Sequence, residues 1–326
     1  MREYILRRTV SLFLTIFSVV TFNFFLFRLM PIDPMHLFAR DPRLGPVIRE
    51  RLIKIFGLDK PVWVQYVLYL KELLRGNMGI SFYYKKPVTK ILVPRLFNTI
   101  LLVGVGEVLS IILGVILGMI SAVKRGSKID IANIFFAILI WSAPGFWIGV
   151  MLMMAFMGIL PTSGIVSPEI IHKDLWTYLW DVGRHMILPT LTLTLVYYTE
   201  YTLIMRSSLV EVLTEDYILT AKAKGLGTLG ILLRHALKNA SLPLVTLTAV
   251  NLGIIVAGDV EVEIVFSWPG LGLLIYESVI HRDYPMLQAA FLLVTISVVV
   301  ANFLADILYA VLDPRVSYRV KRGLEV

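Results

Sequence analysis

No cysteine occurs in the 326-residue chain, which excludes disulfides, thiolate metal sites and cysteine nucleophiles. Charge is scarce as well: Asp, Glu, Lys and Arg make up 17% of the residues, against about 25% in soluble domains, while 57% are hydrophobic. No GxxxxGK[ST] loop is present, so the sequence offers no recognisable cradle for ATP phosphates, and any ATP-driven work has to come from a partner. The histidines, His36, His172, His185, His235 and His281, show no HExxH or other metal spacing, and no serine sits in a GxSxG elbow. A metal site and a catalytic site are therefore not expected. Internal repeats and low-complexity tracts are also missing.

What the chain does have is long apolar runs. Residues 10–30, 99–123, 131–160, 186–205, 242–259 and 286–312 are each predominantly apolar over about the 20 residues a span needs. They predict an all-α integral membrane protein with six transmembrane helices, since helices satisfy their backbone polar groups internally. Arg2, Arg7 and Arg8 precede the first run, as in a secretory signal. The run is too long for a signal core and no small-residue cleavage site follows, so it reads as an uncleaved first span.

With the N-terminus inside, four cytoplasmic segments hold 15 of the 31 Lys and Arg residues, while the two short outer loops hold only Lys173, Arg184 and Arg282. This positive-inside bias predicts a multi-pass protein of the cell membrane with both termini cytoplasmic. The net charge of +8 is thus placed for topology, and nucleic acid is not an expected partner.

The chain divides into an N-terminal end and first span (1–30), an extracytoplasmic helical insertion (31–97), a core with five spans (98–312) and a cytoplasmic tail (313–326). In the insertion, residues 47–56 and 62–75 have amphipathic helical spacing around a break at Gly57-Leu58-Asp59-Lys60-Pro61. These helices suit a position on membrane lipid, a platform for an external partner, or both. Gly104, Gly106, Gly114 and Gly118 in the second span permit close helix approach and read as packing. Pro144 and Gly145, followed by Phe146 and Trp147, interrupt the third span, and the freed carbonyls require protein or a wet cavity, so a kink facing a translocation path competes with simple packing. Pro189 reads as an early, tolerated helix position.

Glu107, Glu200 and Asp306 lie at membrane depth, where ionisable groups call for a functional reading. Glu200 is a candidate for lining a path or for a paired structural role; Asp306 suits pairing with a basic group. Between the last two spans, Phe266, Ser267, Trp268, Pro269 and Gly270 mark an extracytoplasmic gate or receptor side, with Trp268 expected at the membrane interface.

The cytoplasmic loop 206–241 is far longer than the 2 to 8 residues that join neighbouring helices. Its candidate contact residues are Thr220, Ala221, Lys222, Ala223, Lys224, Gly225, Leu226, Leu229, Leu232, Leu233, Arg234 and His235. Gly225 permits a sharp turn, and the leucines with their basic rim suit insertion into a partner's groove or rest on anionic lipid.

Ordered segments then become recognisable: GLDKPVWVQY from Gly57, RGNMGISF from Arg75, APGFWIG from Ala143, LPTSG from Leu160, HMILPTLTL from His185, DYILTAKAKGL from Asp216, RHALKNASLP from Arg234, FSWPGLG from Phe266, RDYP from Arg282 and LYAVLDPRVSY from Leu308. The chain resembles the permease subunits of ATP-binding-cassette importers, specifically the first permease of dipeptide and oligopeptide systems. The resemblance implies a type I importer permease fold and makes residues 216–238 the family's EAA loop, whose coupling helix docks on an ATPase. Aligned on Gly225, Leu219-Thr220-Ala221 stand where the general pattern has Glu-Ala-Ala, and Leu237-Lys238 stand on its Leu-Pro. It further implies a second homologous permease, two ATP-binding subunits that carry ATP and Mg, an extracytoplasmic substrate-binding protein, and import of peptides or related solutes such as oligosaccharides by alternating access. The rival expectation is an ion-gradient-driven secondary transporter built on the carboxylates, although such proteins usually show internal repeats.

Overall fold

Why the chain forms helices almost throughout follows from its apolar runs, and the computed structural model describes residues 2–28, 46, 50, 59–171, 173–255 and 258–312. The expected helix at 47–56 and the tail at 313–326 lie outside the described residues. In order, the helices are α1 (Arg2–Arg28), α2 (Val62–Leu74), α3 (Val88–Val123), α4 (Lys128–Trp141), α5 (Gly145–Ala155), α6 (Leu175–Val212), α7 (Asp216–Ala223), α8 (Thr228–Ile231), α9 (Leu237–Ala240), α10 (Leu242–Ile255), α11 (Val260–Val265), α12 (Leu271–Ile280) and α13 (Tyr284–Leu312). A π-turn, Leu232–Ala236, joins α8 to α9. Two compact units result: residues 1–98 with 270–326, and residues 99–269.

In the first unit α1 packs along α13, and Arg8 pairs with Asp306 at 3.0 Å, the basic partner expected for that carboxylate. Val88, Leu92, Leu271, Leu274, Met286 and Ala290 form its core. Two of the sequence motifs meet here. Asp283 of RDYP accepts hydrogen bonds from the Ser81 hydroxyl and, at 2.9 Å, from the Phe82 amide of RGNMGISF. Nearby, Tyr84 donates to Glu277 at 2.7 Å, and burial together with that carboxylate pushes its phenol up to about 12.

In the second unit α6 is the central element. Asp174 caps its start, accepting from the Thr177 amide at 2.7 Å while Thr177 Oγ1 reaches back to the Asp174 amide. Its 38 residues span about 57 Å at 1.5 Å per residue. Thr190, Thr192, Thr194, Thr199 and Thr202 are all buried along it. Thr192 and Thr194 return their hydroxyls to carbonyls one turn earlier, and Thr199 donates to the Ala137 carbonyl of α4 at 3.0 Å. Pro189 is not in a first turn as expected; α6 starts at Leu175, so the proline sits in the helix interior.

By length and composition, Ile5–Arg28, Val88–Val123 and Tyr284–Ile307 are long and apolar enough to cross a membrane. α4 with α5 makes a fourth candidate, but the pair bends by 103° at the Pro144 break, so the third expected span is no single rod. The regions expected as the fourth and fifth spans are helical without meeting the same standard. α6 dilutes its leucines with threonine and tyrosine, and the apolar stretch of α10, Leu242–Asn251, is short.

The glycine stripe of α3 does pack against α6. A Cβ on Gly114 would lie 2.3 Å from the Tyr201 Cβ and one on Gly118 2.7 Å from the Met205 Cβ, whereas Gly104 faces open space. Gly114→Ala is therefore expected to cost about 1–3 kcal/mol by overpacking, and Gly104→Ala to be neutral or mildly stabilising through helix propensity. Thermal midpoints of the two variants in one detergent check the contrast.

Candidate functional site

The loop after α6 begins where Leu213 ends the helix and the chain turns through Glu215 into α7. Asp216 stands in the first turn of α7, where a carboxylate complements the helix dipole. Gly225, at φ +77°, then reverses the chain, a backbone region that disfavours side chains. The return path runs through α8, the π-turn and α9. Tyr217 ties the two limbs together, accepting a hydrogen bond from Asn239 Nδ2 at 2.9 Å.

This compact loop has two faces. Ile218, Ala221, Ile231, Leu232, Ala236 and Ala240 pack inward against Tyr201, Met205 and Leu209 of α6, with Ala122 and Leu244. Leu232, Ala236 and Ala240 are buried at intervals of four, which the wider π-turn accommodates. Outward, Leu229 is 68% and Leu233 52% exposed, and Leu219 of α7 is exposed beside them. Thr220, Lys222, Ala223, Lys224 and Arg234 are exposed too, while Leu226 and His235 are half-buried.

Leu232, expected among the contact leucines, is only 8% exposed and belongs to the core, as does Ala221. Their positions follow from helical rotation: Leu229 and Leu233, four apart, share one face, and Leu232 turns from it toward α6. Sequence spacing does not reveal the tie between Tyr217 and Asn239, because two polar residues 22 positions apart share no local period that marks them as partners.

Just before the loop, Arg206 grips Asp130 through two contacts, Nε at 2.7 Å and Nη2 at 2.8 Å. Asp130 is buried and also accepts from the Gly126 amide at 2.9 Å. The short turn between α3 and α4 is thus locked to the end of α6 by a planar, bidentate bond.

Farther along α6 lies a polar cluster. The Tyr201 hydroxyl donates to Glu107 Oε1 and accepts from Asn251 Nδ2 at 3.2 Å. Tyr197 donates to Asp259 at 3.2 Å, and Thr99 to the buried Glu263 at 2.6 Å. Val103, Glu107, Tyr197, Asn251 and Ile255 line a small, partly open pocket. Glu107, not Glu200, is thereby the carboxylate that the fold builds into a network. Glu200 is half-buried on α6 and makes no hydrogen bond or ion pair among the described residues.

At the break after α4, Pro144, Phe146 and Trp147 are exposed and Gly145 is half-buried beside Val196 and Glu261. Gly149 lets α5 approach α11, since a Cβ there would meet the Phe266 ring at 3.1 Å. Phe266 and Trp268 are core residues of the second unit, not interface residues. Ser267 adopts φ +48°, so the two aromatics on either side of it both turn inward. Ser267 itself is exposed, Pro269 half-buried and Gly270 buried.

Residues 114–318 match the family described as "Binding-protein-dependent transport system inner membrane component", and residues 1–103 match its companion, "Binding-prot-dependent transport system membrane comp, N-term". The chain belongs to this family. It is 36% identical over 322 residues to the oligopeptide transport system permease protein AppB of Bacillus subtilis (strain 168), covering 98% of this chain and 100% of the relative. It is 35% identical over 338 residues to the dipeptide transport system permease protein DppB of Escherichia coli (strain K12), again over 98% and 100%. Among solved structures, a chain of the inward-facing MetNI methionine ABC transporter shares the fold, with a TM-score of 0.55 at 18% identity, over 69% of this chain and 97% of that one. The chain is accordingly a multi-pass, all-α transport component with the type I importer permease fold, and membership in this family sets the ion-gradient-driven alternative aside.

Breaking this pair should cost more than breaking a surface one, since Asp130 is buried, though the Arg206 side chain is 24% exposed and can still be hydrated. Asp130→Asn is expected to destabilise the protein by about 1.5–3 kcal/mol, the range for a hydrogen bond to a charged group. Arg206→Lys, which keeps the charge and loses the fork, should fall between that variant and the wild type in denaturation measurements.

Proposed function

We propose that this chain is one of two homologous membrane subunits of an ATP-driven importer of dipeptides and oligopeptides, with loop 206–241 as the element that couples it to an ATPase. The observation that carries the reading is the two-faced loop: its inner face is continuous with the core around α6, and its outer face presents Leu219, Leu229 and Leu233 within a basic rim of Lys222, Lys224 and Arg234. Exposed apolar knobs with a charged surround suit burial in a partner's groove.

In this reading the N-terminus and tail lie in the cytoplasm of the cell membrane, with the loop on the same side. Two ATP-binding subunits hold ATP and Mg and close on binding them. Closure pulls on α7 and α8; because Ile218, Ile231 and Leu232 are packed against Met205 and Leu209, the displacement passes to α6 as a rigid-body motion. The Asp130–Arg206 lock carries it on to α3 and α4. Residues on the path are the α6 cluster around Glu107, Tyr197 and Asn251, together with the break at Pro144, Gly145, Phe146 and Trp147. An extracytoplasmic binding protein delivers the peptide to the opposite side, where the segment Phe266, Ser267, Trp268, Pro269 and Gly270 supports the gate from within the core. The substrate class follows the relatives, which are named for dipeptide and oligopeptide transport.

The test expresses the chain with candidate partner subunits and measures copurification and ATP hydrolysis in liposomes. Leu229→Asp and Leu233→Asp should keep the thermal midpoint and lower ATPase retention at least about tenfold, equivalent to about 1.4 kcal/mol per interface anchor. Leu232→Asp should instead reduce folded yield, since it puts a charge into the core. Unchanged assembly and hydrolysis in the Leu229 and Leu233 variants would falsify the coupling role.

A further inference from the structure

The short turn between α3 and α4 presents a cluster of charge that the loop after α6 does not use. Lys124, Arg125 and Lys128 are all exposed, and none of their side chains makes a hydrogen bond or ion pair among the described residues. The neighbouring carboxylate does not neutralise them. Asp130 is buried, and it is engaged by the Gly126 amide at 2.9 Å and by the Arg206 fork. No other Asp or Glu occurs between Glu107 and Glu169.

The turn is also tightly built. Gly126 takes φ +76°, and Ser127 Oγ accepts from the Asp130 amide at 3.3 Å to cap α4. Asn133 Nδ2 then donates to Ser121 Oγ at 2.6 Å, which ties α4 to α3 just beyond the turn. Three cations are thereby held together on one small, fixed loop.

Where the loop lies follows from the helices on either side. The candidate span Val88–Val123 stops at the residue before Lys124, and Val123, Ile129 and Ile131, which flank the cations, are exposed apolar residues. Charge that begins where an apolar span ends stands at the level of the lipid headgroups, with the aliphatic stems of lysine along the hydrocarbon edge. Ala122 packs with Ile218, Ala221 and Ile231, so this level is on the same side as loop 206–241 in either orientation. Unlike that loop, the tip Lys124-Arg125-Gly126-Ser127-Lys128 has no apolar side chain to insert into a protein groove. It offers a guanidinium fork between point charges, a donor set that suits phosphate.

We propose that this turn is a docking surface for anionic phospholipid headgroups of the phosphatidylglycerol type, in the leaflet on the side of loop 206–241. Arg125 and the two lysines meet the phosphodiesters, while Val123, Ile129 and Ile131 rest against the acyl chains. A zwitterionic headgroup is a poorer match, because its ammonium brings a fourth positive charge to a turn with no free carboxylate to receive it.

The experiment places the complete transporter, with its partner subunits, in phosphatidylcholine nanodiscs containing a photoactivatable probe lipid. The probe is either phosphatidylglycerol or phosphatidylcholine with the same acyl chains, and cross-linked peptides are mapped by mass spectrometry. The phosphatidylglycerol probe should label residues 123–131 at least about fivefold more than its counterpart, the preference that one cation supplies at an anionic surface. The triple variant Lys124→Gln, Arg125→Gln, Lys128→Gln should lose most of this preference, and Arg125→Gln alone should lower it, with helical content by circular dichroism unchanged. Excess soluble glycerol phosphate should not compete, since it has no acyl chains to rest on the flanking residues. Equal labelling by the two probes, a preference that survives intact in the triple variant, competition by glycerol phosphate, or labelling that appears only once the ATPase subunits are stripped away overturns the assignment.

Discussion

Everything in the second unit depends on how α6 satisfies the polar groups it carries through the protein interior. A helix with five buried threonines, three tyrosines in sequence proximity and a central proline would be expelled from hydrocarbon if those groups were unmet. The fold meets this by surrounding the helix with other helices and by pairing Thr192, Thr194, Thr199, Tyr197 and Tyr201, while the buried Thr190 and Thr202 hydroxyls have no partner among the described residues. Hydroxyls return to carbonyls one turn back, Thr199 reaches α4, and Tyr197 and Tyr201 cap acidic groups on neighbouring segments. The glycines of α3 belong to the same solution, because Gly114 and Gly118 let its backbone approach α6 at Tyr201 and Met205. Close approach adds van der Waals contact where no hydrophobic driving force separates helix from lipid.

The loop after α6 inherits its packing from this arrangement. Its inner residues are packed against the last two turns of α6, so the loop is less an appendage than a continuation of the core. A force applied to exposed Leu229 or Leu233 is one turn away from buried Leu232 and Ala236. The Tyr217–Asn239 hydrogen bond closes the two limbs, and the Arg206–Asp130 fork fixes the end of α6 to the neighbouring turn. A flexible loop would dissipate such a force in its own bending; a loop with a packed face transmits it.

Much of this was legible in the sequence, and the limits have physical causes. The apolar runs announce helices and the amphipathic spacing of residues 62–75 announces α2, since periodicity is a local property. The length and charge of loop 206–241 set it apart from a simple connector for the same reason. Which of its leucines face outward was not legible, because the answer depends on the π-turn and on where α6 lies. Trp268 shows the error in the other direction. An aromatic between two apolar segments suggests a membrane interface, yet the positive φ at Ser267 folds both Phe266 and Trp268 into the core. Long-range pairs such as Asp283 with Ser81, or Asp130 with Arg206, left no mark beyond membership in recognisable motifs.

The acidic groups of the second unit bear on how such a protein can move solutes without holding them. Glu107, Asp259 and Glu263 each accept a hydrogen bond from a hydroxyl of the chain itself, from Tyr201, Tyr197 and Thr99. A carboxylate so engaged offers a ligand only part of its acceptor capacity, and a solute displacing the hydroxyl would have to match a short, well-directed bond. The polar atoms of the pocket between Glu107, Tyr197 and Asn251 are therefore largely committed to one another. The carboxylates then contribute by holding α3, α6, α10 and α11 in one register, so that a displacement of α6 changes the shape of the whole cavity at once.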